Sequence, residues 1–487
     1  MDMLATRATW FAIAIFFITI VATMISRWKS NVHSLSTRLP PPVVNVVALL
    51  PSIVNKGFGL TINDLYTKFG SVFTINLFGP KITLLVGPEV SSHFFQGLES
   101  EISVGNFAEV TVPIFGQEVF YGVDTATHSE QVNFIVDILK PSKLRSLVGP
   151  MFEEVEAYFQ KWGHNGIVDF KHEVEQVLMF ISSRCLLGHE VRDMMLEEVY
   201  SLLNELGNGL NFFSFLFPYI PTPTNQRRDK AHIRLKEIFT TTIRSRRSSG
   251  RVEEDALQRL MNSKYKDGRS ATEAEISGMI IGLIIAGQHT SSSISTWTGA
   301  CMLSNTKFLI AALKEQKHIS RKYKSQIGYD ALSEMDTLHR CIKEALRMHT
   351  AAPLLVRKAH KNFKVRTKEG KEYDIPGGHN IVIPTALNNK LEHIYSDPYV
   401  YDPDRFGPGR EEDKVGGKFS FTSFGGGRHI CPGMAFAYLQ IKLVWSHLLR
   451  NFELKLISPF PQADLSKMVQ EPKEKVMISY KRRQLLS

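Results

Sequence analysis

Phe424-Gly425-Gly426-Gly427-Arg428-His429-Ile430-Cys431-Pro432-Gly433, followed by an apolar helical pattern from Met434, is the stretch on which the reading of this chain turns. Three glycines let a backbone pass close to a large flat partner without Cβ clashes. The start of the following helix directs amide groups and the positive end of its dipole at the Cys431 sulfur. Both effects favour thiolate over thiol, which makes Cys431 the candidate metal ligand. A lone cysteine is ordinarily a small core residue. The glycine run and the spacing weigh against that reading here.

A cysteine thiolate beneath haem iron favours cleavage of the O–O bond of dioxygen, which separates an oxygenase from an oxygen carrier. His429, two residues before the cysteine, is placed to donate a hydrogen bond to a haem propionate. The segment resembles the haem-binding loop of the cytochrome P-450 family, which sets Phe, Gly, a basic residue, Cys and Gly at these intervals. That resemblance implies a mainly α fold with smaller β-sheets (α+β), with the haem between a long central helix and the Cys-bearing loop. It implies haem b (iron-protoporphyrin IX) as cofactor, with cofactor contacts from Phe424, Gly427, Gly433, Arg357, Tyr121 and His128 as well as Cys431 and His429.

Glu344 and Arg347 stand three apart, one turn apart on one helical face. Such a pair is usually a solvated bridge worth under ~1 kcal/mol. Pro403-Asp404-Arg405-Phe406 follows at the distance where the family supplies a third charged partner, so the resemblance implies a buried network of Glu344, Arg347 and Arg405. Upstream, Ser270 with Glu273, or Thr272 with Glu275, offers a capping-box start to a long helix. Its centre reads Ala286-Gly287-Gln288-His289-Thr290, small residues followed by imidazole and hydroxyl, which suggests a local distortion facing a ligand. A satisfied core Thr and His is the bland alternative. By resemblance Thr290 holds water and protons beside the bound oxygen, Gly287 makes room, and His289 replaces the acid most members carry, as is typical of the sterol 14-alpha-demethylase branch. An imidazole still exchanges protons near neutral pH.

The 487 residues carry 43% hydrophobic and 22% charged side chains, the balance of a folded globular protein. Four dispersed cysteines, Cys185, Cys301, Cys341 and Cys431, form no disulfide framework or zinc pattern. A net charge of +10 fits a solvated surface and an acidic partner better than nucleic acid, because no aromatic-interleaved basic tract accompanies it. Ala8 to Ile25 is apolar and uncharged, and Arg27, Lys29 and Arg38 follow it. Residues 1–29 therefore read as a retained membrane anchor with the remainder cytosolic, a cleaved signal peptide being the alternative. Residues 30–50, with Pro40, Pro41 and Pro42, read as a stiff linker, and 51–487 as the catalytic domain. Proline is absent from 151 to 217 and from 224 to 352, which argues for long helices. Ser71 to Phe78 and Lys81 to Val86 around Gly79-Pro80 read as a hairpin, with further strands near Phe363 to Arg366 and Asn380 to Ile383.

The resemblance to plant sterol 14-alpha-demethylases covers nearly the whole chain after the anchor, and it places the protein at the endoplasmic reticulum membrane. Neither a Gly-x-Ser-x-Gly elbow nor a nucleotide-binding glycine pattern is present, so electrons are expected from NADPH through a separate cytochrome P-450 reductase. Of the family's substrate segment the chain keeps Pro113, Phe115, Gly116 and Tyr121, but has Ala108 for a tyrosine, Val110 for a larger apolar residue and Gly122 for Asp or Ala. Ala351 and Ala352 follow Thr350 where prolines are usual, and Gln470 and Glu471 follow Met468 and Val469 where a small apolar pair is usual. The expected pocket comprises Ala108, Val110, Phe115, Tyr121, Ala286, Leu354, Met468 and Val469. Leu206 to Pro223, with its aromatic residues, is expected at the substrate entrance and the membrane.

Iron machinery kept while substrate walls drift is the pattern of a redeployed sterol enzyme. The sequence reading is therefore oxidation of a pentacyclic triterpene such as β-amyrin, as in the divergent grass branch linked to defence saponins. The alternative is 14-alpha-demethylation of obtusifoliol, and the alternative of another class is a non-catalytic haem- or sterol-binding membrane protein. Thr290 and the charged triad argue against such a carrier.

Overall fold

The computed structural model describes residues 40–483 apart from 106–107, 212–213, 215–216, 325–326, 465–466 and 468, with backbone alone at 108–110, 194 and 196. The expected anchor lies outside the described residues. Among those described, no helix is long and apolar enough to cross a membrane.

Two compact units emerge. The first comprises Met1–Gly105, Leu354–Ile394 and Asp413–His429. Its six-stranded sheet runs in the order Val43–Asn45, Val72–Asn76, Lys81–Leu85, Asn380–Ile383, Leu355–Ala359 and Ile102–Ser103. Val72–Asn76 and Lys81–Leu85 form the expected antiparallel hairpin, Val72 facing Leu85 and Asn76 facing Lys81. The expected linker ends earlier than residue 50. Val43–Asn45 pairs in parallel with Val72–Asn76, and the helix Val46–Lys56 follows at once. Strand pairing across about thirty residues overrides the local proline signal. Phe94, Phe95, Ile381, Ile383 and Phe419 belong to this unit's buried core.

The second unit comprises Asn106–Pro353, Tyr395–Glu412 and Ile430–Ser487. Its three-stranded antiparallel sheet runs Phe452–Leu456, Met477–Arg482, Asn165–Asp169. The helix Glu273–Leu303 is buried on almost all sides, as a helix with apolar residues around its whole circumference must be. A capping box starts it: Glu275 N donates to Thr272 Oγ1 at 3.2 Å, and Thr272 N donates to Glu275 Oε2 at 2.7 Å. The helix Met434–Asn451 is pinned to it, since Gln440 Nε2 donates to Ser291 Oγ (2.7 Å) and Trp445 Nε1 to the Ser295 carbonyl (3.2 Å). Cys431, just before one helix, and Thr290, within the other, thereby sit on elements locked to each other.

Burial pushes three imidazoles, His339, His379 and His447, down to about 4. Unfolded histidine takes up a proton near 6.5, so these groups favour the folded state fully above that pH and lose that contribution as pH falls toward 4. By pH 5 the loss is about 2 kcal/mol per group. The melting temperature is expected to fall between pH 7 and pH 5, and the His447→Phe variant to fall less; equal falls would contradict the assignment.

Candidate active site

Cys431 is the exposed cysteine, whereas Cys185, Cys301 and Cys341 are buried. Burial pushes the Cys341 thiol up to about 12, which makes it inert. Protein packed behind the Cys431 sulfur also raises its thiol above the ordinary value, and the backbone N–H groups of Gly433 and Met434 offset only part of this. The helix-start amides thus act in the expected direction, against the opposing effect of burial. A coordinated metal removes the proton outright.

Within the described protein, the glycine run is also demanded by close packing. Gly427 has φ +59°, and a Cβ there would collide with the Phe95 carbonyl; one at Gly426 would lie 3.1 Å from the Phe419 ring. The loop needs glycine to pack on its own unit. His429 Nε2 lies 2.7 Å from Glu99 Oε1, so an acid of its own unit already faces the nitrogen expected to meet a propionate. Arg357 is buried, its guanidinium 5.1 Å from the Phe94 ring centre. Phe424 is half-buried, and Leu354 is more exposed.

The second unit brings several other expected residues together. Glu344 Oε2 and Oε1 accept from Arg347 Nε (2.7 Å) and Nη2 (2.8 Å), and Oε1 also accepts from Arg405 Nε (2.9 Å). All three side chains have 0% exposure. Glu412, which the sequence reading missed, accepts from Arg405 Nη1 and from Arg410, so the buried arginines face two carboxylates. The signal was available: one glutamate cannot balance two buried guanidinium groups.

On the long helix, Ala286 is exposed directly after the buried Ile284 and Ile285, and a Cβ at Gly287 would meet nothing within 4 Å. Thr290 Oγ1 donates to the Ala286 carbonyl at 2.7 Å. The helix continues through this point without a break, so the expected distortion amounts to this hydroxyl bond. His289 points elsewhere: a Cβ at Gly207 would lie 2.6 Å from its Nε2, so the imidazole packs against that glycine. Its Nε2 is buried without a hydrogen-bond partner, and burial lowers its pKa. His289 is therefore a neutral, packed side chain.

Tyr121 and His128 lie ring to ring at 5.0 Å, and Phe115 meets Phe120 edge to face at 5.9 Å. Gly122 is required, because a Cβ there would collide with the Gln117 carbonyl. The Gln470 carbonyl accepts from Ser293 Oγ (2.6 Å), and the neighbouring Glu471 is buried with Lys171 and Lys467 as partners. Val469 is half-buried. Met468, Phe212, Phe213 and Phe215 lie outside the described residues, as do the side chains of Ala108 and Val110. Tyr219, in the expected entrance segment, is 68% exposed.

Within the second unit, Cys431 and its neighbours fit a haem. Among the described residues no cluster of three His, Cys, Asp or Glu could hold a bare metal ion. A single exposed sulfur suits a metal that brings its own equatorial ligands. Ile430, Cys431 and Pro432 are exposed in succession, a stretch that a flat group would cover.

Comparison with known proteins agrees. The chain is 51% identical to an obtusifoliol 14-alpha demethylase of Sorghum bicolor over 92% of each chain, and 50% identical to a sterol 14-demethylase of Arabidopsis thaliana over 96% of each. It is 34% identical to a lanosterol 14-alpha demethylase of Bos taurus, covering 91% of this chain and 88% of that one. A solved cyanobacterial structure with retinoic acid bound superposes with a TM-score of 0.78 at 20% identity over 92% of this chain and 100% of that one, a likeness of fold. These relatives favour the sterol alternative over the triterpene reading. The cytochrome P-450 profile matches residues 38–479, and with relatives of this identity along its length the chain belongs to the cytochrome P-450 family of haem-dependent monooxygenases.

Proposed function

We propose that this enzyme removes the 14α-methyl group of a plant sterol such as obtusifoliol, drawing electrons from NADPH through a cytochrome P-450 reductase at the endoplasmic reticulum membrane. The observation that carries this reading is identity of 48–51% to three plant sterol 14-demethylases, over at least 92% of both partners in each case. Bound haem supplies the activation of dioxygen. Cys431 would hold the iron, with the amides of Gly433 and Met434 directed at its sulfur. Thr290, anchored on the Ala286 carbonyl, would keep a hydroxyl beside the open Ala286–Gly287 stretch and hold a proton there. The Thr290→Ala variant is expected to lower product formed per NADPH by about 100-fold while changing substrate affinity little, as checked by product quantitation and spectral titration. Unchanged coupling would remove Thr290 from proton delivery.

A second reading, oxidation of a pentacyclic triterpene, is favoured by one observation. The turn at Gly122 has no room for the Cβ of the Asp or Ala usual in the family, so this part of the wall is built differently. Incubation with reductase, NADPH and either obtusifoliol or β-amyrin, followed by product mass spectrometry, decides between them. Conversion of obtusifoliol alone supports the sterol reading, and conversion of β-amyrin alone overturns it.

A further inference from the structure

Three positions one turn apart on the long helix meet different surroundings. At Gly278 a Cβ would lie 2.5 Å from the Phe115 carbonyl and 2.8 Å from Val119 Cγ2. At Gly282 it would lie 2.6 Å from Phe120 Cε2. Ala286 is exposed, and Gly287 beside it faces open space. The segment Phe115 to Phe120 thus covers this face of the helix as far as the Phe120 ring, and beyond the ring the face is open.

Phe120 is also held where it stands. Its backbone adopts φ +50°, a left-handed conformation that an aromatic residue rarely takes. Its N–H donates to Gln131 Oε1 at 2.7 Å. Gln131 is itself fully buried, and its Nε2 donates to the Glu118 carbonyl (3.0 Å) and the Tyr265 hydroxyl (3.0 Å). The edge-to-face contact with Phe115 fixes the ring's tilt. A glycine at 282 is what allows the ring to approach the helix this closely.

We infer that Phe120 is a specificity-determining residue, the end wall that limits how far a rigid apolar ligand can extend along the long helix from Thr290 toward Gly282. This rests on the monooxygenase reading of the site but not on which polycycle is the substrate. Removing the ring would lengthen the open stretch by about one helical turn, ~5 Å. An added methyl at Gly282 would push the ring outward and shorten it.

The test uses the full-length holoenzyme and a rigid ladder of ligands, 1-phenylimidazole and its para-linked biphenyl and terphenyl homologues, read by the absorbance shift on binding. The wild type is expected to lose about tenfold or more in affinity at one rung. Phe120→Ala should move that rung one ring longer and Gly282→Ala should move it shorter, while Gly282→Ala should have no effect once Phe120 is alanine. Phe120→Leu, which keeps more bulk, serves if the alanine variant loses haem. The inference is overturned if a folded Phe120 variant keeps the wild-type rung, or if Gly282→Ala acts equally with and without the ring. Obtusifoliol is titrated alongside. A wild type that shows the rung but does not bind obtusifoliol speaks against the sterol substrate and leaves the role of Phe120 standing.

Discussion

Replacing Glu344 by alanine is expected to abolish recovery of haem-loaded enzyme at 37 °C. The substitution leaves Arg347 and Arg405, both with 0% exposure, sharing no carboxylate between them. Breaking a buried pair in this way costs about 3–5 kcal/mol, because both buried guanidinium groups lose a carboxylate where water cannot replace it. That is a large share of the ~5–15 kcal/mol that holds a typical protein folded. Glu344 also accepts from the Asp402 amide at 3.0 Å, so the loss frees the turn that presents Arg405. Glu412→Ala should cost less, since Arg405 keeps Glu344 and its bonds to the Ser396 and Val400 carbonyls. Thermal denaturation with haem quantitation checks the order, and a Glu344 variant as stable as wild type would show that the network contributes nothing.

Cys431→Ser is expected to behave in the opposite manner. Its side chain is exposed, so the melting temperature of the polypeptide should move little, while turnover falls at least about 1000-fold, roughly 4 kcal/mol in barrier. Cys301→Ser supplies the contrast. It buries a hydroxyl in place of a thiol that burial already keeps protonated, so it should lower stability while leaving turnover per folded molecule unchanged. Should both variants lose turnover in proportion to folding, Cys431 would have no special chemistry.

These contrasting effects reflect which parts of the molecule local sequence could reveal. The loop at Phe424 to Gly433 was legible as a family signature because a cysteine, glycines and a helix start follow one another within ten residues. Likewise the capping box at Thr272 and the turn at Gly79-Pro80 are short-range devices, and the helix and hairpin stand where they point. The strand Asn165–Asp169 was not legible. It lies in a proline-free tract, has no fully buried residue, and exists because Met477–Arg482 pairs with it, Gly166 lying beneath Tyr480. The same holds at the site. Arg347 three residues after Glu344 was visible, whereas Glu412, the Gly207 contact of His289 and the left-handed Phe120 depend on where distant segments meet. The glycines of the loop were legible as necessary, but the demand that Phe95 places on Gly427 comes from a segment more than 300 residues away and was not.

The claim on which all of this depends is that the Cys431 sulfur is the protein's ligand to haem iron. The most direct measurement is the absorbance spectrum of the reduced, carbon monoxide-treated full-length protein. A strongly red-shifted Soret band, absent in Cys431→Ser, is the result predicted for sulfur ligation; a band at the position of nitrogen-ligated haem in the fully folded wild type would contradict it.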